Sequence, residues 1–203
     1  MKKLFVGLLL GLVLSVSAPA RAENQIELAL QSTAHSIATA SYRVADMLNW
    51  KVGDTSTYSI HITGLPIKGS LVKSVTKLEE HAVWLHEVEN LIIKKQVVDV
   101  LLSTQTGRVL KMITDGKEMP AGGDDHFELI SQDFGKVTVP AGTFEAMHIV
   151  ASNDLTPRIE LWANPNDVVL DGTIKQIVFT TGTAIIIELE SQKRAPATNA
   201  DAD

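Results

Sequence analysis

Cysteine is absent from the 203 residues. That excludes disulfides, thiol nucleophiles, thiolate metal sites and a lipid-modified N-terminal cysteine. Aromatic residues make up only 5% of the chain and include three tryptophans, so few large rings are available to shape a concavity. Dense basic clusters are missing as well: nothing exceeds Lys94-Lys95. Catalytic signatures are equally scarce. There is no G-x-S-x-G elbow, no H-E-x-x-H zinc helix, no Walker loop and no dinucleotide fingerprint. No catalytic residue, metal ligand set or cofactor is therefore assigned, and the chain is not expected to be an enzyme.

What is present begins with a leader. Lys2 and Lys3 give a positive start, Leu4 to Val16 is apolar, and Ala20-Arg21-Ala22 is a small-x-small cleavage site. The apolar run is too short for a membrane span. Residues 1–22 read as a cleaved signal peptide, with Glu23 as the new N-terminus and the periplasm as destination. The leader holds Lys2, Lys3 and Arg21, so 15 of the 18 basic residues remain against 24 acidic ones, a formal charge of −9. Such a surface repels phosphate backbones and anionic headgroups, which disfavours nucleic acid as a partner. No later segment has the length and apolarity of a membrane-spanning helix.

Residues 23–192 read as a single β-rich domain with an N-terminal helix over 24–48. Ile26, Leu30, Ile37, Val44 and Leu48 form one apolar stripe, with Asn24 as N-cap and Glu27 three residues on. From Trp50 the period becomes two. Tyr58, Ile60 and Ile62 alternate with Thr57, Ser59 and His61, and further strands are expected at about 67–78, 82–93, 95–104, 108–114, 136–139, 143–151, 158–163, 173–180 and 183–191. The short turns between them (Gly64-Leu65-Pro66, Thr106-Gly107, Asp115-Gly116, Thr181-Gly182) favour antiparallel neighbours. Residues 193–203 are small and polar and read as a disordered tail.

Several of these strands are apolar on both faces: Trp84 and Val88 against Val83 and Leu85, Val97 and Leu101 against Val98, Val100 and Leu102. The sheet must then curl, pair with a second sheet or enclose something. A filled core and an apolar cavity both satisfy this. In a cavity, Trp84, Phe144 and Trp162 are the ligand-binding candidates, as the large rings best placed to shape it. Among polar residues, Glu87 and Glu89 read as exposed strand charges. His81 and His86 point to opposite faces, against a shared metal. Asp124-Asp125-His126 is the most metal-like cluster, but three adjacent residues in a Gly-rich loop read as solvated.

Three segments carry a family resemblance: Trp50-Lys51-Val52-Gly53-Asp54 with Tyr58-Ser59-Ile60; the hairpin Val137-Thr138-Val139-Pro140-Ala141-Gly142-Thr143-Phe144-Glu145-Ala146; and Glu160-Leu161-Trp162 with Val168-Val169-Leu170-Asp171-Gly172-Thr173-Ile174-Lys175. Their order resembles a group of uncharacterised exported bacterial proteins related in fold to the periplasmic lipoprotein carriers of the LolA/LolB type. The resemblance implies a mainly β chain with an N-terminal helix: a single strongly curved antiparallel sheet, a half-open barrel, packed on that helix. It does not transfer lipoprotein transport, because fold does not imply function. The leading functional expectation is a soluble periplasmic protein without enzymatic activity that binds a lipid or other apolar small molecule in a concave sheet. The alternatives are a cell-envelope interaction or assembly module with a closed core and a protein partner, and a hydrolase with an atypical site.

Overall fold

The computed structural model describes residues 50–66, 68–91, 94–120, 127–153, 156–180 and 182–196. Eleven strands are present: β1 (Thr55–Ile62), β2 (Lys68–Glu79), β3 (Ala82–Leu91), β4 (Lys94–Ser103), β5 (Val109–Thr114), β6 (Lys117–Met119), β7 (Glu128–Val139), β8 (Gly142–Ser152), β9 (Arg158–Ala163), β10 (Thr173–Thr180) and β11 (Thr183–Lys193). They form one open antiparallel sheet in the order β6-β5-β4-β3-β2-β1-β11-β10-β9-β8-β7. Two meanders, β1 to β6 and β7 to β11, are therefore sewn together by the pairing of the first strand with the last.

This topology imposes curvature. β6 and β7 are consecutive in the chain but stand at opposite edges of the sheet. Laid flat, eleven strands would separate the edges by about 48 Å at the usual inter-strand spacing. The chain from Met119 to Glu128 can stretch only about 32 Å. The sheet must curl until its edges come within that reach. The β7–β8 hairpin curls further. It runs from Gly142 to Ser152 on β8, yet β8 meets β9 only over Met147 to Ala151. The overhanging two-stranded end is free to twist strongly, and it folds onto the neighbouring strands. The Ala141 N–H donates to the Leu189 carbonyl at 3.0 Å, and Val137 and Val139 join Ile174 and Leu189 in one buried cluster.

The period-two pattern sets an inner face. On β1, Ser56, Tyr58, Ile60 and Ile62 are buried while their neighbours are not. Two apolar clusters lie on this face. One gathers Tyr58, Ile60, Leu71, Ile174, Val178, Ile185 and Ile187. The other gathers Val75, Val83, Leu85, Val98, Val100 and Leu102.

The expectation of a helix packed on the sheet is corrected here. Among the described residues the chain is all-β and holds no helix. The helical pattern of residues 24–48 is a local signal that lies outside the described residues, as do the leader, Asp124-Asp125-His126 and residues 197–203. Part of the inner face is covered instead by the β9–β10 connection. Val168 packs into the first cluster, and Val169 and Leu170 into the second. The C-terminal segment also stays attached beyond residue 192. β11 ends at Lys193, and buried Asp54 then accepts from Arg194 Nη1 at 2.9 Å and from the Ala195 N–H at 2.8 Å.

Candidate functional site

The most unusual chemistry on the inner face is a buried charge trio. Strand parity brings Lys73 (β2) beside Glu87 (β3) in direct cross-strand register. The β9–β10 connection adds Asp171. Lys73 Nζ lies 3.5 Å from Glu87 Oε1 and 3.4 Å from Asp171 Oδ2, and all three side chains are at most 4% exposed. Lys73 Nζ also sits 5.7 Å from the centroid of the Tyr58 ring, whose hydroxyl donates to the Thr173 carbonyl at 3.2 Å.

The connection that delivers Asp171 is built with care for its backbone groups. Asn164 N–H donates to the Gly172 carbonyl, and Val168 N–H donates to the Asn164 carbonyl. Gln192 fixes the middle, accepting from Val169 N–H at 2.8 Å and donating to the Asp167 carbonyl at 2.9 Å. Leu170 has φ +63, a left-handed conformation that costs a branched-chain residue energy and persists only where the surroundings enforce it. Gly172 has φ +73, and a Cβ there would stand 2.6 Å from the Pro165 nitrogen, so glycine is required. Asp171 Oδ1 accepts from Thr173 N–H at 3.0 Å, which orients the carboxylate toward Lys73.

The electrostatics follow from burial. Burial pushes the Glu87 carboxyl above its ordinary range; Lys73 opposes this and Asp171 adds to it. Burial alone would lower the Lys73 ammonium, but Asp171 and Glu87 outweigh it and the net shift is upward. Burial, then the Asp171 charge, raises the Tyr58 phenol well above its ordinary value. A lysine held this firmly as ammonium is no nucleophile, since Schiff-base chemistry needs the free amine. The trio reads as a polar latch between the sheet and the β9–β10 connection.

Further polar residues interrupt the inner face, Gln96 and Gln176 among them. Gln96 (β4) is buried opposite Glu89 (β3), and its Oε1 has no hydrogen-bond partner. Gln176 (β10) is 1% exposed, and neither of its amide atoms has a partner among the described residues. Glu87 and Glu89 are thus both buried, correcting their reading as exposed charges.

Of the three aromatic candidates, Trp84 stands apart from Phe144 and Trp162. Trp84 lies on the outer face of β3, its Nε1 donating to Glu79 Oε1 at 3.0 Å. Trp162 (β9) stacks on His148 (β8), centroids 4.2 Å apart and planes 7° apart, with Lys175 Nζ 5.8 Å from its ring. His148 Nε2 is 3.2 Å from Glu160, which also accepts from Arg158. Phe144 and Trp162 both pack against the first apolar cluster. Strand parity could have found Glu87 and Glu89, since they share the positions of Val83, Leu85 and Leu91. Nothing in the sequence links Lys73 to Asp171. Among the described residues no group of three His, Asp or Glu side chains could hold a metal, and no helix is long and apolar enough to cross a membrane.

No protein-family model matches the chain. No curated protein sequence matches it either. Solved structures do resemble it. A candidate lipoprotein of Parabacteroides distasonis aligns over 72% of this chain and 97% of its own, at 12% identity and TM-score 0.43. Hypothetical protein CT021 of Chlamydia trachomatis aligns over 75% and 94%, at 14% identity and TM-score 0.44. The MucA/MucB complex of Pseudomonas aeruginosa aligns over 72% of this chain and 54% of the matched chain, at 13% identity and TM-score 0.43. At these scores the likenesses carry nothing about what this chain binds.

Proposed function

We propose that the chain is a non-enzymatic protein of the cell envelope, exported by its leader, that holds an amphiphile on the inner face of its curled sheet. One observation carries the reading. The inner face is aliphatic across strand after strand, yet it is broken by buried amides: among the described residues neither polar atom of Gln176, nor Oε1 of Gln96, has a hydrogen-bond partner. A core selected for packing alone fills such positions with leucine or valine, because an unsatisfied buried amide is costly. A ligand with a long apolar part and a compact polar group matches both features. Native mass spectrometry and solvent extraction of the protein, purified from envelope fractions without detergent, are expected to release a bound amphiphile. A clean unliganded mass, with no uptake of a fluorescent fatty acid, would count decisively against it.

A second reading is favoured by the edge strand β7. It is 12 residues long and exposes Leu129, Ile130 and Phe134, the last at 78%. A strand edge with apolar side chains is a template for pairing with another protein. In this reading the partner is a second envelope protein and the inner face stays closed. Cross-linking in envelope extracts separates the two: a stoichiometric partner lost in Phe134→Lys, with no extractable amphiphile, selects the interaction module.

A further inference from the structure

Gln176 occupies the middle of the inner face without a polar neighbour in the sheet. Its cross-strand partners are Ile187 on β11 and Leu161 on β9, and Ile174 and Val178 flank it along β10. All four are buried. The next residue across the row, Ile60 on β1, is aliphatic too. In this setting the amide has a donor, Nε2–H, and an acceptor, Oε1, that are both unused. Methionine or leucine would fill the row without that penalty. The amide therefore calls for a partner that none of the described residues supplies.

Its two atoms specify what the partner must offer. Nε2 needs an acceptor and Oε1 needs a donor, side by side in one plane. A protonated carboxylic acid supplies both. Its carbonyl oxygen accepts from Nε2–H while its O–H donates to Oε1. A carboxylate would instead set a negative charge against Oε1. Among the described residues no cation is positioned to offset it on this stretch of the face, since Lys175 points outward and pairs with Glu188 at 2.7 Å. Burial itself favours the neutral acid. We infer that Gln176 anchors the neutral carboxyl head of a long-chain carboxylic acid, whose chain lies along the aliphatic row of Ile187 and Ile60. This inference rests on the amphiphile-holding reading and names its ligand class.

The test compares two probes on the delipidated protein, hexadecanoic acid and its methyl ester, which keeps the chain and the carbonyl but lacks the O–H. Affinities are measured by calorimetry at about pH 4, where the free acid is largely protonated and its uptake needs no proton from solution, for wild type, Gln176→Leu and Gln176→Met, with thermal melts confirming that each variant is folded. Wild type is expected to prefer the acid by about tenfold or more, the discrimination typical of one buried hydrogen bond made or missed. Both variants should bind the ester within about twofold of wild type and lose the preference for the acid. If wild type shows no preference, or either folded variant keeps it, the anchor is overturned while the amphiphile-holding reading stands. A more stable Gln176→Leu with unchanged affinities for both probes would assign the amide to a trapped water and overturn the anchor likewise. If wild type binds neither probe, the amphiphile-holding reading falls, and the anchor with it.

Discussion

Lys73 and Asp171 are 98 residues apart in sequence and meet at 3.4 Å inside the molecule, where their side chains are each 1% exposed. With Glu87 they tie the sheet to the connection that covers it. Breaking such a group is more damaging than replacing it. Lys73→Met leaves two carboxylates buried together without a cation, and is expected to cost about 3–5 kcal/mol. Glu87→Gln removes one carboxylate of a pair that shares one ammonium, and should cost far less. Urea melts of the two variants check the order. Equal losses would mean that the ammonium does not hold the trio together.

The pH dependence follows from the directions of the shifts. Glu87, Lys73 and Tyr58 are all raised in the folded state, so the native protein holds protons that the unfolded chain releases. A group raised on folding contributes stability that is complete below its unfolded pKa and is lost as pH rises through its folded one. For Glu87 this loss begins above the ordinary 4.5, and for Tyr58 and Lys73 above 10.0 and 10.5. Stability should therefore decline in two steps, one above the ordinary carboxylate range and one in alkali. Tyr58→Phe should flatten the alkaline step and Glu87→Gln the acid-side one. Melting temperatures across pH measure both, and an alkaline limb unchanged in Tyr58→Phe would contradict the assignment.

Much of the sheet was legible because alternation survives wherever one face is buried and the other wet. β1, β9, β10 and β11 show it plainly, and the expected spans match those observed to within a few residues. In β7 the alternation marks only 136–139 because its first seven residues are exposed on both faces and alternate nothing. β6, at the opposite edge, is too short to show a period. The buried glutamates were hidden by their charge. Val83, Leu85 and Leu91 place Glu87 and Glu89 on the inner side, but burial of a carboxylate needs a partner, and Lys73 and Asp171 come from elements that only the folded topology brings together. Gln176 shares the buried positions of Ile174 and Val178 on β10, but nothing in the sequence marks its amide as left without a partner.

The β9–β10 connection makes a sharper test of backbone geometry. Gly172→Ala would place a Cβ 2.6 Å from one backbone atom of Pro165 and 2.7 Å from another, at φ +73. Gly116→Ala has nearly the same φ, +79, with nothing within 4 Å. The turn variant should lose about 1 kcal/mol from conformation alone. The Gly172 variant adds a clash that backbone atoms cannot relieve cheaply and should lose clearly more, about 3 kcal/mol or above. Equal losses would show that the connection can shift away from β10 at little cost.

Trp84 separates the two faces of the sheet. It is the largest side chain on β3, yet its strand neighbours Val83 and Leu85 are 0% and 1% exposed while it stands on the half-exposed side, its indole nitrogen bonded to Glu79. Its cross-strand partners are Lys77 and Leu101. Truncation to alanine removes contacts that are only partly desolvated, so no closed void results. The expected loss is about 1 kcal/mol, well under the 3–5 kcal/mol typical of a large core ring. Leu85→Ala, one residue away but on the inner face, should lose about 2–5 kcal/mol. Uptake of an apolar probe should be unchanged in Trp84→Ala and altered in Leu85→Ala. Paired denaturant melts and probe titrations decide this, and a loss at Trp84 equal to that at Leu85 would mean that the outer face of β3 is covered as completely as the inner one.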